Sequence, residues 1–302
     1  MDLQDFFKNK DVIRNGLTLA KASPKWLGYG VAKTVGRMIA QRKPNVYWQM
    51  RDNISHIPGT NDEPGKLDKI TRRAFINAGR FYYDYYHVIG MPPNHICEVI
   101  HIPDIVFEHI DRIQSSGRGV QLAGIHLSNF DLGSISLTAH GLKIQALSAA
   151  NPNEGYEYQN ELRKKYGFIA TPINPSTLKD AIKKLRNGGI IAGGLDWPQP
   201  EETHLTKVFG KPAYVPLGTA RLALLSDAVT IILAFYYDKY KGYQLHVADP
   251  IEVIRTGNKQ EDIRVNTAAY MRVFESIVSQ HPEQWMMFHK FWADTPAMGV
   301  ES

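Results

Sequence analysis

The chain has 302 residues, 43% hydrophobic, 11% aromatic and 22% charged, a balance that excludes disorder and collagen-like repeats. At that length about 75% of the unfolded surface can be buried, so no disulfide or metal staple is needed; the one cysteine, Cys97, excludes a disulfide framework and points to a reducing compartment. The net charge of +5 is uneven: residues 1–51 hold ten Lys/Arg against three acids (+7), leaving −2 for the rest, so an anionic partner, nucleic acid or acidic lipid, is expected near the N-terminus.

No run approaches the roughly 20 apolar residues that span a bilayer. The N-terminus is acidic at Asp2 and Asp5 and lacks a continuous apolar core, so it is not a secretory signal. Ser23-Pro24 predicts a helix start, with Ser23 as N-cap and Pro24 in the first turn. Leu27, Val31, Val35, Met38 and Ile39 recur at helical spacing, with Lys25, Lys33 and Arg37 as a basic face. That pattern serves a helix packed on the domain or one lying among lipid headgroups. After a polar loop, His56 to Lys66, a second helix carries Leu67, Ile70, Ala74, Ala78, Phe81 and Tyr85 on one stripe. Its aromatic end suits core packing or a wall for an apolar ligand.

From Gly119 the pattern alternates. Strands are expected at Gly119–Ile125, Lys143–Leu147, Phe168–Ile173 and Ile190–Leu195, with helices at Asn129–Ala139, Glu157–Lys165 and from Ser176 to Asn187-Gly188-Gly189. A loop to about Tyr214 is followed by a helix near Gly218–Leu225, strands Val229–Tyr237 and Tyr243–Val247, and a last helix, Glu261–Gln280. Such alternation predicts an α/β fold: a central, mostly parallel sheet flanked by helices, with an N-terminal helical extension. A single domain over residues 1–302 is expected, with the amphipathic basic extension in 1–60 and the core in 119–292.

There is no G-x-S-x-G elbow, no phosphate loop and no H-E-x-x-H pair. Gly28-Tyr29-Gly30 lacks the third glycine of a dinucleotide fingerprint. What remains is Gly124-Ile125-His126-Leu127-Ser128-Asn129-Phe130-Asp131, where a strand leaves the sheet at the edge that collects ligands. Asp131, in the first turn of the next helix, is expected to point back at the imidazole, fixing its tautomer and leaving the other nitrogen as a base. The helix N-terminus offers N–H groups to a developing oxyanion. The same spacing also serves a buried histidine held by a nearby acid.

"GIHLSNFDLGS" resembles the H-x-x-x-x-[DE] block of the bacterial lipid A late acyltransferases (lauroyl/myristoyl transferases), a superfamily that includes the mycobacterial phosphatidylinositol mannoside acyltransferase type. Further segments match in order: "RDNISHI" (Arg51–Ile57), "NPNEGYEYQNELRKKYG" (Asn151–Gly167), "LKDAIKKLRNGGIIAGGLDWPQ" (Leu178–Gln199), "VFGKPAYVPLGTARLAL" (Val208–Leu224) and "HPEQWMMFHKFW" (His281–Trp292). The resemblance implies transfer of a fatty acyl chain from a carrier thioester, on acyl carrier protein or coenzyme A, to a hydroxyl of a membrane glycolipid. His126 and Asp131 would be catalytic; Arg163, Asp196, Asn129 and Arg221 would bind substrate. No metal and no cofactor is expected. Asp196-Trp197-Pro198-Gln199 departs from the Gln or Arg plus second acid that usually follows this aspartate in the family. No N-terminal anchor helix like that of many lipid A enzymes is expected, which resembles the mycobacterial, peripheral arrangement. The expected location is the cytoplasmic face of the cell membrane, with an anionic membrane surface rather than nucleic acid as partner. A thioesterase, or a catalytically silent lipid-binding protein on the same fold, is the alternative.

Overall fold

The computed structural model describes residues 10–148, 153–197 and 203–293. Asp2, Asp5, Asn151, Pro198 and Gln199, named above, lie outside the described residues.

Four helices precede the sheet: α1 (Lys10–Ala22), α2 (Lys25–Arg42), α3 (Asn45–Ser55) and α4 (Lys66–Val88). The start of α2 differs in detail from expectation: Pro24 occupies the N-cap without a side-chain cap, and the Ser23 hydroxyl donates back to the Ala20 carbonyl. The face that α2 buries is the one with the smallest side chains, Gly28, Ala32 and Gly36. A Cβ on Gly28 would lie 2.1 Å from the Tyr83 ring, and one on Gly36 would lie 2.8 Å from the backbone nitrogen of Ile76. Close approach of α2 to α4 therefore requires glycine there, and Leu27, Val31 and Val35 are left exposed on the outside.

Two short helices not foreseen in the sequence, α5 (Pro93–Val99) and α6 (Asp104–Ser115), lead into the sheet. Its strands are β1 (Val120–Gly124), β2 (Ile144–Ser148), β3 (Ile169–Pro172), β4 (Ile190–Gly194), β7 (Val229–Asp238) and β8 (Gly242–Val247), in the order β3-β2-β4-β1-β7-β8. All neighbours are parallel except β7 and β8. Helices α7 (Phe130–Ala139), α8 (Glu154–Lys164), α9 (Pro175–Arg186), α10 (Gly218–Ser226) and α11 (Lys259–Val278) fill the connections. The α/β architecture is the one the alternation predicts, because strands covered on both faces read as short apolar runs. The segment expected as a loop up to Tyr214 instead holds an antiparallel hairpin, β5 (Thr203–Val208) and β6 (Lys211–Pro216). Phe209 and Gly210 both have positive φ, 47° and 75°, as a two-residue hairpin turn requires. The hairpin carries lysines and no apolar run, so nothing in its hydrophobicity announces it.

One face of the sheet, through Val120, Leu122, Ile231 and Leu233, shares a core with α1, α4 and α6 residues such as Ile13, Phe81 and Val106. The opposite face, through Ala123, Ile125 and Ile232, packs on Tyr270 and Phe274 of α11 and on Trp285 and Phe291 beyond it. Among the described residues, no helix is long and apolar enough to cross a membrane.

Candidate active site

Strand register decides which carboxylate meets the histidine. β1 and β4 pair in parallel with Gly124 opposite Gly194, so the residues two places beyond each, His126 and Asp196, emerge side by side. His126 Nδ1 donates to Asp196 Oδ1 at 2.6 Å, and the backbone N–H of His126 lies 3.1 and 3.2 Å from the two carboxylate oxygens. Asp196 is fully buried, and its Oδ2 accepts from the indole Nε1 of Trp285 at 2.8 Å. Gly194 is needed beside this pair, since a Cβ there would come within 2.8 Å of His126 Cε1. The imidazole is flanked by Phe130, centroid distance 4.5 Å, and Trp197, 5.0 Å. Its Nε2 has no hydrogen-bond partner among the described residues. An imidazole with one nitrogen fixed by a buried carboxylate and the other open has the arrangement of a general base.

Asp131, expected on the imidazole, is elsewhere. It accepts from Arg163 Nη2 at 2.5 Å, and α8 buries that guanidinium to 4% exposure. Arg163 also donates to Asn160 at 2.7 Å and lies over the Tyr156 ring. Burial pulls its pKa down, but the charge of Asp131, with Tyr85 and Tyr156, outweighs burial and holds it above its ordinary value. The physical reason for the exchange is charge. A buried cation requires a carboxylate partner, while Asp196, level with His126 across the strand pair, is already bonded to the imidazole.

Between these groups lies a cavity of about 130 Å³. His126, Asp131 and Arg163, with Ser134, Ser148 and Tyr156, supply its polar lining; Leu122, Leu137, Phe168, Leu233 and Phe235 line it with apolar surface. Gly193 also lines it, and a Cβ there would meet nothing within 4 Å, so that glycine faces open space. A largely apolar cavity with polar groups in its lining suits a ligand with an apolar chain and a reactive head.

The other expected substrate contacts fall differently. Arg163 lines the cavity, whereas Asp196 is fully buried behind the imidazole and does not line it. Asn129 is 3% exposed and spent on structure: it caps α7 by accepting from Leu132 N, and its amide donates to the Phe81 carbonyl and to Tyr243 Oη. Asn is among the residues preferred at a helix start because its side-chain oxygen accepts this bond. Arg221 is exposed on α10 and does not line the cavity. Trp285 is the contact that sequence reasoning missed. It lies in the "HPEQWMMFHKFW" block, and nothing in sequence ties it to Asp196. The loop carrying His126 is itself strained: Ser128 has φ 50°, and its N–H donates to the Gln284 carbonyl at 2.7 Å.

An α/β sheet ending in a histidine–carboxylate pair beside an apolar cavity suits chemistry on an acyl chain, and the relatives carry the assignment. The sequence profile of the family described as bacterial lipid A biosynthesis acyltransferase matches residues 14–294. The chain belongs to that family and is an O-acyltransferase acting on lipids. It is similar to the phosphatidylinositol mannoside acyltransferase of Mycobacterium tuberculosis, 21% identical over 251 residues (81% of this chain, 76% of that protein). The protein of the same name from Mycolicibacterium smegmatis is 21% identical over 283 residues, 92% of this chain and 89% of its own. The lipid A biosynthesis lauroyltransferase of Escherichia coli is 26% identical over 215 residues, 66% and 63% of the two chains.

Proposed function

We propose that this protein moves a fatty acyl chain from a carrier thioester, on acyl carrier protein or coenzyme A, to a hydroxyl of a membrane glycolipid. The observation that carries the reading is His126: one imidazole nitrogen is fixed by buried Asp196, the other is open, and the ring lines an apolar cavity. The acyl chain lies in that cavity. His126 Nε2 takes the proton of the acceptor hydroxyl as its oxygen attacks the thioester carbonyl carbon. The tetrahedral oxyanion is stabilised by N–H groups at the start of α7. When the C–S bond breaks, the carrier thiolate takes the proton from the imidazolium. Asp196 holds the ring and balances its charge, while Asp131 and Arg163 form the polar wall of the cavity.

The enzyme works as a peripheral protein on the cytoplasmic face of the cell membrane. On α2, Leu27, Val31 and Val35 are exposed at i, i+4 and i+8, flanked by Trp26 (75% exposed) and by Lys33 and Arg37. A large apolar stripe bordered by cations is what an anionic lipid surface binds. Trp48 on α3 is likewise exposed, with Lys43 and Arg51 over its ring. The glycolipid acceptor would arrive from that surface, as the names of the relatives suggest.

The test is product analysis with acyl-carrier-protein and coenzyme A thioesters, each with and without glycolipid. Acylated glycolipid formed with the acceptor, and little free fatty acid without it, is the expected result. Free fatty acid as sole product would identify a thioesterase instead, and no product a lipid-binding protein.

A further inference from the structure

The blocks Arg51–Ile57 and His281–Trp292, far apart in sequence, meet beside the site. Asn53 of α3 is fully buried and donates through Nδ2 to the carbonyls of Met287 and His289, at 2.8 and 2.7 Å. Its Oδ1 accepts from Phe291 N, and its carbonyl accepts from Trp292 Nε1. The strap so held runs along the loop that carries His126. Ser128 N donates to the Gln284 carbonyl, Met286 N donates to the His126 carbonyl at 2.8 Å, and Leu127 pairs with Trp285 in an antiparallel bridge.

From this strap Trp285, 0% exposed and edge-on to Phe274 and Phe291, directs its indole N–H at Asp196 Oδ2. Asp196, equally buried, has its other oxygen on His126 Nδ1. A carboxyl group turns about a broad, two-fold torsion, so in a dry site its donors set its orientation. Without the indole N–H, Oδ2 keeps only the longer contact from the His126 backbone N–H at 3.2 Å. The carboxylate would then turn, and the imidazole with it.

We propose that Trp285 is a positioning residue for acyl transfer: its indole N–H fixes the Asp196 carboxylate so that His126 presents Nε2 to the cavity. Asn53 holds the strap in place for that contact. The proposal rests on the acyl-transfer reading of the site.

The test is Trp285→Phe in the full chain, which removes the N–H and keeps an aromatic ring. The turnover number should fall about 10–100-fold with the KM for acyl donor changed by less than about twofold, since a displaced base costs rate rather than binding. The low-field His126 Nδ1–H signal in nitrogen-edited NMR should move or broaden. In an Asp196→Asn background the same substitution should cost less than about twofold more, because its effect runs through Asp196. Phe274→Leu, which loosens the same packing and leaves the N–H, should keep the turnover number. Wild-type turnover with an unmoved His126 signal overturns the proposal. So does an equal loss in the Asp196→Asn background, or the same loss in Phe274→Leu. If Trp285→Phe does not fold, the Trp285 indole N–H cross-peak decides: it shifts in Asp196→Asn, or the contact is refuted. The NMR measurements need no turnover. A wild-type protein that transfers no acyl chain therefore refutes the acyl-transfer reading, while the His126 signal still decides the role of Trp285.

Discussion

Helix α2 and the carboxyl edge of the sheet distribute glycine and bulk in opposite senses. On α2, Gly28 and Gly36 face inward and let two helices touch, which turns Leu27, Val31 and Val35 outward. At the sheet edge, Gly193 faces open space and Gly194 makes room for an imidazole, while charged groups such as Asp196 and Arg163 are buried. Glycine closes a gap in one region and opens one in the other. A buried charge with a partner marks the site, and an exposed apolar stripe marks the surface that meets something apolar.

His126→Gln removes the base and should lower transfer about 10³-fold or more, with an unchanged circular dichroism spectrum. Asp196→Asn should follow, losing about 10²-fold in turnover at nearly unchanged stability, because an isosteric amide keeps the packing but not the charge on the imidazole. Asp131→Asn should show the reverse balance. It leaves Arg163 buried without its carboxylate, a loss of about 3 kcal/mol read from denaturant unfolding, and a smaller loss of turnover. If Asp131→Asn proved the more damaging to turnover and Asp196→Asn to stability, the assignment of the two carboxylates would be reversed.

The two kinds of glycine separate next. Gly36→Leu should cost about 2 kcal/mol or more, because the contact it meets is Ile76 backbone, which cannot swing aside. Gly193→Leu should leave the melting temperature alone and raise the KM for long-chain donors about tenfold, by filling space the acyl chain needs. A destabilised Gly193→Leu would show that the space is not open. The smallest effect is expected on α2: Lys25, Lys33 and Arg37 all changed to Gln should weaken sedimentation with anionic vesicles about tenfold, and added salt should mimic the change. Binding that ignores both would leave the outward stripe without a lipid partner.

Much of the fold was legible because buried strands and amphipathic helices announce themselves by apolar runs and spacing; each sheet strand falls within two residues of its expected ends. The hairpin of β5 and β6 was not, since its alternating polar residues carry no apolar run. For α2 the spacing was read correctly, but the apolar stripe alone does not say which side packs; Gly28 and Gly36 were the signal for that. His126 stood out by its place at a strand end. Its partner did not, because proximity in sequence favoured Asp131, while the Gly124–Gly194 register that brings Asp196 alongside exists only once the strands are ordered. Trp285 and Asn53 were present in matching blocks, with no local pattern to connect them to a carboxylate.

On the proposed reading the acyl chain occupies the cavity beside His126 and reacts there. A crystal structure with a non-transferable thioether analogue of the acyl carrier tests it most directly. The alkyl chain should lie between Leu122, Phe168 and Leu233, with the carbon that replaces the carbonyl within reach of His126 Nε2. An alkyl chain bound elsewhere, with this cavity empty, would contradict it.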